Sequence, residues 1–219
     1  MREGKAQMRR ILMTIAALCW AGAAKAEGEA AGDFDYYVLS LSWSSGWCAL
    51  EGDAHDDPRC DAGRGLTFVL HGLWPQYEDG WPSYCRTTER DPSRAMTAAM
   101  ADIMGDAGPA FYQWKKHGRC SGLPPDEFFN LARKAFTGIT IPEVFADIDR
   151  PITLSANVVE DAFLEQNPGL VRDQITITCK GGLIQEARIC LTADLTPRRC
   201  GQDVIRDCRL MDAVLEPIR

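Results

Sequence analysis

The sequence predicts an α+β fold in an exported, disulfide-bonded chain, and three observations carry that expectation. Strand-like and helix-like segments are mixed without the regular alternation of a doubly wound sheet. An even set of cysteines follows a leader-like N-terminus. The 219 residues, 46% hydrophobic and 25% charged, have the composition of an ordinary globular protein and suffice for one large domain with a sizeable core.

Taken in order, the elements begin after residue 26. Arg9 and Arg10 precede an apolar run from Ile11 through Trp20, and Ala24-Lys25-Ala26 places small residues where a signal peptidase cuts. Met8-Arg9-Arg10 alone makes a normal n-region, so Met8 can serve as the start. The apolar run is shorter than the ~20 residues that span a bilayer. A cleaved signal over 1–26 and a single domain over 27–219 are therefore expected. Cleavage removes Cys19 and leaves eight of nine cysteines. It also removes five basic residues and one acid, taking the net charge from −7 to −11. Such a chain has no general electrostatic attraction to nucleic acid, so any chemistry on RNA must rest on a local site.

Phe34 to Trp43 is aromatic and β-branched enough for a strand. Gly46 to Gly65, rich in Gly, Asp and Pro, reads as a long loop holding Cys48 and Cys60. Leu66 to Leu70 reads as a second strand running into His71-Gly72-Leu73-Trp74-Pro75. Beyond a turn-rich segment ending at Cys85, helices are expected over Pro92–Met104, Pro109–Cys120 and Pro125–Phe136, proline suiting the first helical turn. A further helix covers Ser155 to Gln166. Two strands, Ile175–Cys179 and Leu183–Leu191, meet at Lys180-Gly181-Gly182.

Two of the three histidines lie in unusual contexts. His71 ends an expected strand, a rigid position, with Gly72 beside it to allow close approach. A core histidine packed on Trp74 is the competing reading. In the helix ending at Cys120, Gln113, Lys116 and His117 stand at i, i+3 and i+4 and share a face, while Phe111 and Trp114 can turn to the core. The competing reading there is a solvated basic helix end favoured by the macrodipole. His55, among aspartates and glycines, reads as a surface residue. Trp43, Tyr77, Trp81 and Tyr84 are candidates for stacking on a base, although core packing is the commoner fate of such rings.

Together the two histidine segments resemble the paired motifs of the ribonuclease T2 family of secreted acid ribonucleases. Phe68-Val69-Leu70-His71-Gly72-Leu73-Trp74-Pro75 matches the first motif throughout. Gln113, Trp114, Lys116, His117, Gly118 and Cys120 match the second with one weakened position. Phe34-Asp35-Tyr36 and the Trp43 to Cys48 stretch also resemble that family's first strand. The resemblance implies an antiparallel sheet core packed with helices, acting as a monomer on RNA, with no metal and no cofactor. It implies cleavage through a 2′,3′-cyclic phosphate, with His117 as base, His71 as acid and Lys116 stabilising the phosphorane; Trp74, Trp43 and Tyr112 would contact substrate. It further implies the disulfides Cys48–Cys60, Cys85–Cys120, Cys179–Cys208 and Cys190–Cys200, a pairing that sequence alone does not choose. Each could contribute about 2–4 kcal/mol.

Two positions depart from the family's commonest pattern. Gln113 stands where glutamate is usual and cannot supply the negative charge that favours a protonated histidine. Tyr112 stands where histidine is common. Gln113 keeps open the alternative of a weakened ribonuclease-like protein that binds RNA or a partner, and a periplasmic phosphodiesterase acting on nucleotides would also retain the histidines. A zinc site is the competing reading of the cysteines, but the C-x₂-C pairs of structural zinc are missing. The absence of an Asn-X-Ser/Thr sequon and the short signal favour a periplasmic over a eukaryotic secretory destination.

Overall fold

The computed structural model describes residues 28–219, so the expected signal over 1–26 lies outside the described residues. Strands β1 (Tyr36–Trp43) and β2 (Phe68–Gln76) form an antiparallel pair, and β5 (Leu183–Leu191) lies along the other side of β1. β4 (Ile175–Lys180) pairs with β5 antiparallel. The short β3 (Ile152–Leu154) and β6 (Ala213–Leu215) pair with each other and join β5 through one parallel contact, Leu183 to Val214. The sheet is therefore mixed rather than wholly antiparallel.

Helices cover one face of this sheet. Tyr37, Leu39, Leu41 and Trp43 alternate along β1 into the main core. They meet Phe128 and Ala132 of α5 (Pro125–Thr137) and Val159 and Phe163 of α6 (Ala156–Gln166) there. The opposite face carries a smaller cluster of Tyr36, Val38, Cys190, Cys200 and Val204, with Trp74 packed against it. The chemistry-bearing side chains lie on this second face.

Several elements differ from the sequence expectation. The second strand does not stop at Leu70; it continues through His71 to Gln76. Pro75 is tolerated because β2 is the edge of the sheet. The segment after Trp43 is not an irregular loop but begins as α1 (Ser44–Trp47) and continues through a π turn (Cys48–Gly52) and two 3₁₀ turns to Cys60. Helix 92–104 is divided into α2 (Arg94–Ala98) and α3 (Ala101–Met104), the joint tightened where Met100 N–H donates to Thr97 C=O three residues back. α4 (Gly108–Lys116) ends one residue before His117, whose φ of −120° is outside the helical range. β3 and β6, three residues each, are too short to show an alternation.

The disulfides are Cys48–Cys60, Cys85–Cys120, Cys179–Cys208 and Cys190–Cys200, so all eight of these cysteines are engaged and none is free to ligate zinc. Among the described residues no helix is long and apolar enough to cross a membrane.

Trp43 does not contact a substrate surface. It is fully buried against Phe68 and Phe145, and its indole N–H donates to Glu216 C=O at 2.9 Å. Its parity along β1 sends it to the helix-covered face, with Leu39 and Leu41.

Candidate active site

A β-bulge builds the site. Ser40 pairs with Gly72 and Leu41 with Leu70, so His71 is an extra residue with no partner on β1. Upstream of the bulge Phe68 and Leu70 point into the core; downstream Leu73 does. The two alternations meet out of phase at His71 and Gly72, which puts His71 and Trp74 on the same side of the sheet. Three residues apart in an unbroken strand, they would lie on opposite faces.

Trp74 then touches both histidines. Its ring stacks on His117 with centroids 5.2 Å apart and meets His71 edge-on at 5.1 Å. The indole N–H donates to Gln113 Oε1 at 2.8 Å. That bond passes over Gly72, where a Cβ would lie 2.3 Å from both Gln113 Oε1 and Trp74 Nε1. Glycine is required here for close approach, as the sequence suggested.

His117 sits just past the end of α4, its backbone N–H donating to Gln113 C=O at 2.9 Å. The turn that follows is pinned in three ways. Cys120 N–H donates to His117 C=O, the Cys85–Cys120 disulfide crosses to the segment before α2, and Tyr84 N–H donates to Lys116 C=O. Gly118 does more than end the helix, since a Cβ there would fall 2.7 Å from the Trp114 ring and 2.8 Å from Phe128. Trp114 is buried as expected, but Phe111 is exposed.

The imidazole of His117 is only 5% exposed, and its Nδ1 has no hydrogen-bond partner among the described residues. Burial, then the neighbouring Lys116 and His71 charges, push its pKa from 6.5 down to about 3. The ring is accordingly neutral across the mildly acid range.

Sequence reasoning missed the partner of His71. His71 Nδ1–H donates to Glu186 Oε1 at 2.5 Å. Glu186 lies in the middle of β5 and is 2% exposed. Its other oxygen accepts from Arg188 Nε at 2.8 Å and Nη2 at 2.6 Å. Burial alone would raise the Glu186 pKa, but the His71 hydrogen bond and charge, with Arg188, outweigh it and hold the carboxyl at about 2. Arg188 also lies over Trp74, 5.4 Å from its ring centroid. The signal available in sequence was an acid and a base, two apart, as the only charged residues of the strand; their shared face became meaningful only once β5 was placed beside β1.

These groups line a cleft of about 550 Å³ with Lys116, Gln76 and Trp81. A second cleft of about 380 Å³ opens on the other side of His71, lined by Ser42, Val69 and Pro109. Trp47, unremarked in the sequence, lines both, as do Tyr112 and Gln113. Tyr112 is half exposed, with Lys116 Nζ 5.9 Å from its ring. Tyr77 and Tyr84 line neither cleft, nor does His55, which is exposed.

The ribonuclease T2 family model matches residues 34–200. The chain belongs to the ribonuclease T2 family. It is 41% identical to a ribonuclease of Aeromonas hydrophila over 128 residues, covering 57% of this chain and 56% of that protein. It is 25% identical to ribonuclease I of Escherichia coli K12 over 206 residues, covering 74% and 77%. The match thus spans little more than half the length of the Aeromonas relative. In fold, it is similar to trichomaglin, described as an S-like ribonuclease, with a TM-score of 0.67, 21% identity, and 85% and 100% of the two chains covered.

The buried neutral ring of His117 has a consequence for stability. Below its ordinary pKa of 6.5 the unfolded chain binds a proton there that the folded chain refuses until about pH 3. Folding stability is therefore lost as pH falls through that window. Urea unfolding of the wild type and of His117→Gln at pH 7 and pH 4 is expected to show a wild-type loss greater by roughly 2–3 kcal/mol. Equal losses in the two proteins would mean that His117 is not buried as a neutral ring.

Proposed function

We propose that the protein is an endoribonuclease that cleaves single-stranded RNA by transphosphorylation through a 2′,3′-cyclic phosphate. The observation that carries this reading is the pair of imidazoles held on one indole, facing one cleft with a lysine. Cleavage of an RNA phosphodiester needs a base for the 2′-hydroxyl and an acid for the departing 5′-oxygen, and two imidazoles on one cleft supply both.

His117 takes the base role. Its burial keeps the ring unprotonated at acid pH, so it can accept the 2′-hydroxyl proton as the O2′–P bond forms. Lys116 stabilises the charge that develops on the phosphorane oxygens. His71 then gives a proton to O5′ as the P–O5′ bond breaks, leaving a cyclic phosphate and a 5′-hydroxyl. Hydrolysis of the cycle to a 3′-phosphate reverses the roles, with water in place of the 5′-oxygen. Trp74 spaces the two rings, and Tyr112, which lines both clefts, stacks on a base. No metal or cofactor enters the scheme, and the protein acts as a monomer.

Export fits the same reading. Four disulfides suit an oxidising compartment, and the leader over 1–26 would deliver the remaining domain to the periplasm or medium. The alternative of a catalytically weakened RNA-binding relative draws only on Gln113. That side chain is occupied as the acceptor of the Trp74 indole, a role an amide fills well.

His71→Ala and His117→Ala are each expected to lower cleavage of single-stranded RNA by at least about 100-fold, while DNA of the same sequence stays uncut by the wild type. Cleavage of DNA, or full activity in either variant, would contradict the two-histidine scheme. The acidic limb of kcat/KM is expected well below pH 6.5, reflecting His117. In Gln113→Glu the added charge favours protonated His117, so that limb moves to higher pH; an unmoved limb would show that position 113 does not bear on the base.

A further inference from the structure

Glu186 is a buried carboxylate outside both sequence motifs, on a strand with no other part in the scheme. Taking a carboxylate out of water costs several kcal/mol unless its charge is met, and an apolar residue would serve a purely structural position better. Here the charge is met twice over. Arg188 grips one oxygen with two N–H groups, which turns the other oxygen toward His71. Ser42 stands opposite Glu186 on β1, Ser40 opposite Arg188, and Gly72 opposite Ser40, so a floor of small residues lets the β2 and β5 side chains meet above β1. Meanwhile the second motif offers an amide whose oxygen is already used by Trp74, and no carboxylate reaches the histidines from α4.

We propose that Glu186 is a positioning residue for proton donation, supplying from β5 the negative charge that α4 lacks at Gln113. This inference rests on the two-histidine reading. Glu186 holds the Nδ1–H of His71, so that Nε2 is the nitrogen turned to the scissile phosphate, and it supports the imidazolium until the Nε2 proton passes to O5′. The Nδ1 proton stays on the ring, and Glu186 remains ionised throughout.

Other charged groups near His71 are committed elsewhere or carry the opposite sign. Lys116 and His117 face it from the end of α4. Asp57 is paired with Arg59 at 2.9 Å, Glu51 is held by Lys180, Asp106 accepts from the Gly108 N–H, and Asp203 accepts from the Gly80 N–H at 2.7 Å. Glu186 is thus the one carboxylate bonded to this ring among the described residues.

The test compares Glu186→Gln with wild type on two substrates, a ribodinucleotide and uridine 3′-(4-nitrophenyl phosphate). The second releases a phenolate that needs no proton. If Glu186 acts through the acid, kcat/KM on the dinucleotide falls by about 100-fold, the aryl ester loses less than about threefold, and the alkaline limb of the dinucleotide profile moves to lower pH. Glu186→Asp, which keeps the charge but shortens the reach, shows the same split at a smaller size, and decides the matter should the glutamine variant fail to fold. Equal losses on both substrates, or an unmoved alkaline limb, would overturn the proposal in favour of a structural carboxylate. A wild-type protein that cut neither substrate would instead overturn the two-histidine reading, and this inference with it.

Discussion

His71 and Trp74 are an odd number of residues apart on β2, and a regular pleat would put one in the core and the other at the surface. The single extra residue opposite Ser40 and Leu41 removes that conflict, and the geometry of the site depends on it. Only because both side chains share a face can the indole meet His71 at its edge and His117 on its flat. The same shift brings Gly72 under the Trp74–Gln113 hydrogen bond, where no Cβ would fit. The bulge is local to the β1–β2 ladder, while His117 belongs to a separate element, pinned by the Cys85–Cys120 disulfide. That bridge holds one histidine's turn, and the indole links that turn to the strand carrying the other.

The two imidazoles live in opposite surroundings. His117 is buried without a carboxylate and loses its proton readily; His71 is more exposed and rests on a buried anion. Such a division separates base from acid without requiring different residue types. It also bears on how an acidic chain handles a polyanion. With the net charge at −7, attraction comes from the few cations beside the cleft, Lys116 and Arg188 among them, rather than from the surface as a whole.

Much of this was legible in the sequence, and the reasons are particular. Leu183–Leu191 was bounded correctly because a glycine turn precedes it and apolar residues recur along it from Leu183 to Leu191. The motif residues His71, Trp74, Gln113, Lys116 and His117 line one cleft; it was the resemblance to paired motifs, not spacing, that set the two segments side by side. The bulge was missed although β2 carries its trace, the apolar phase changing between Leu70 and Leu73; only the pairing with β1 identifies His71 as the extra residue. Trp43 was misread because the resemblance was followed in place of its parity with Leu39 and Leu41, which sends it to the core. Glu186 was missed because a salt bridge across 115 residues of chain is a property of the sheet order, not of either segment.

The account turns on a reaction in which the 2′-hydroxyl of RNA is the nucleophile. The most direct measurement follows the phosphorus itself. Phosphorus NMR of a uniformly ribose dinucleotide incubated with the purified, oxidised protein in the presence of chelator should show a 2′,3′-cyclic phosphate that rises first and then gives way to a 3′-phosphate. A 5′-phosphate product, or cleavage that stops when chelator is added, would contradict it.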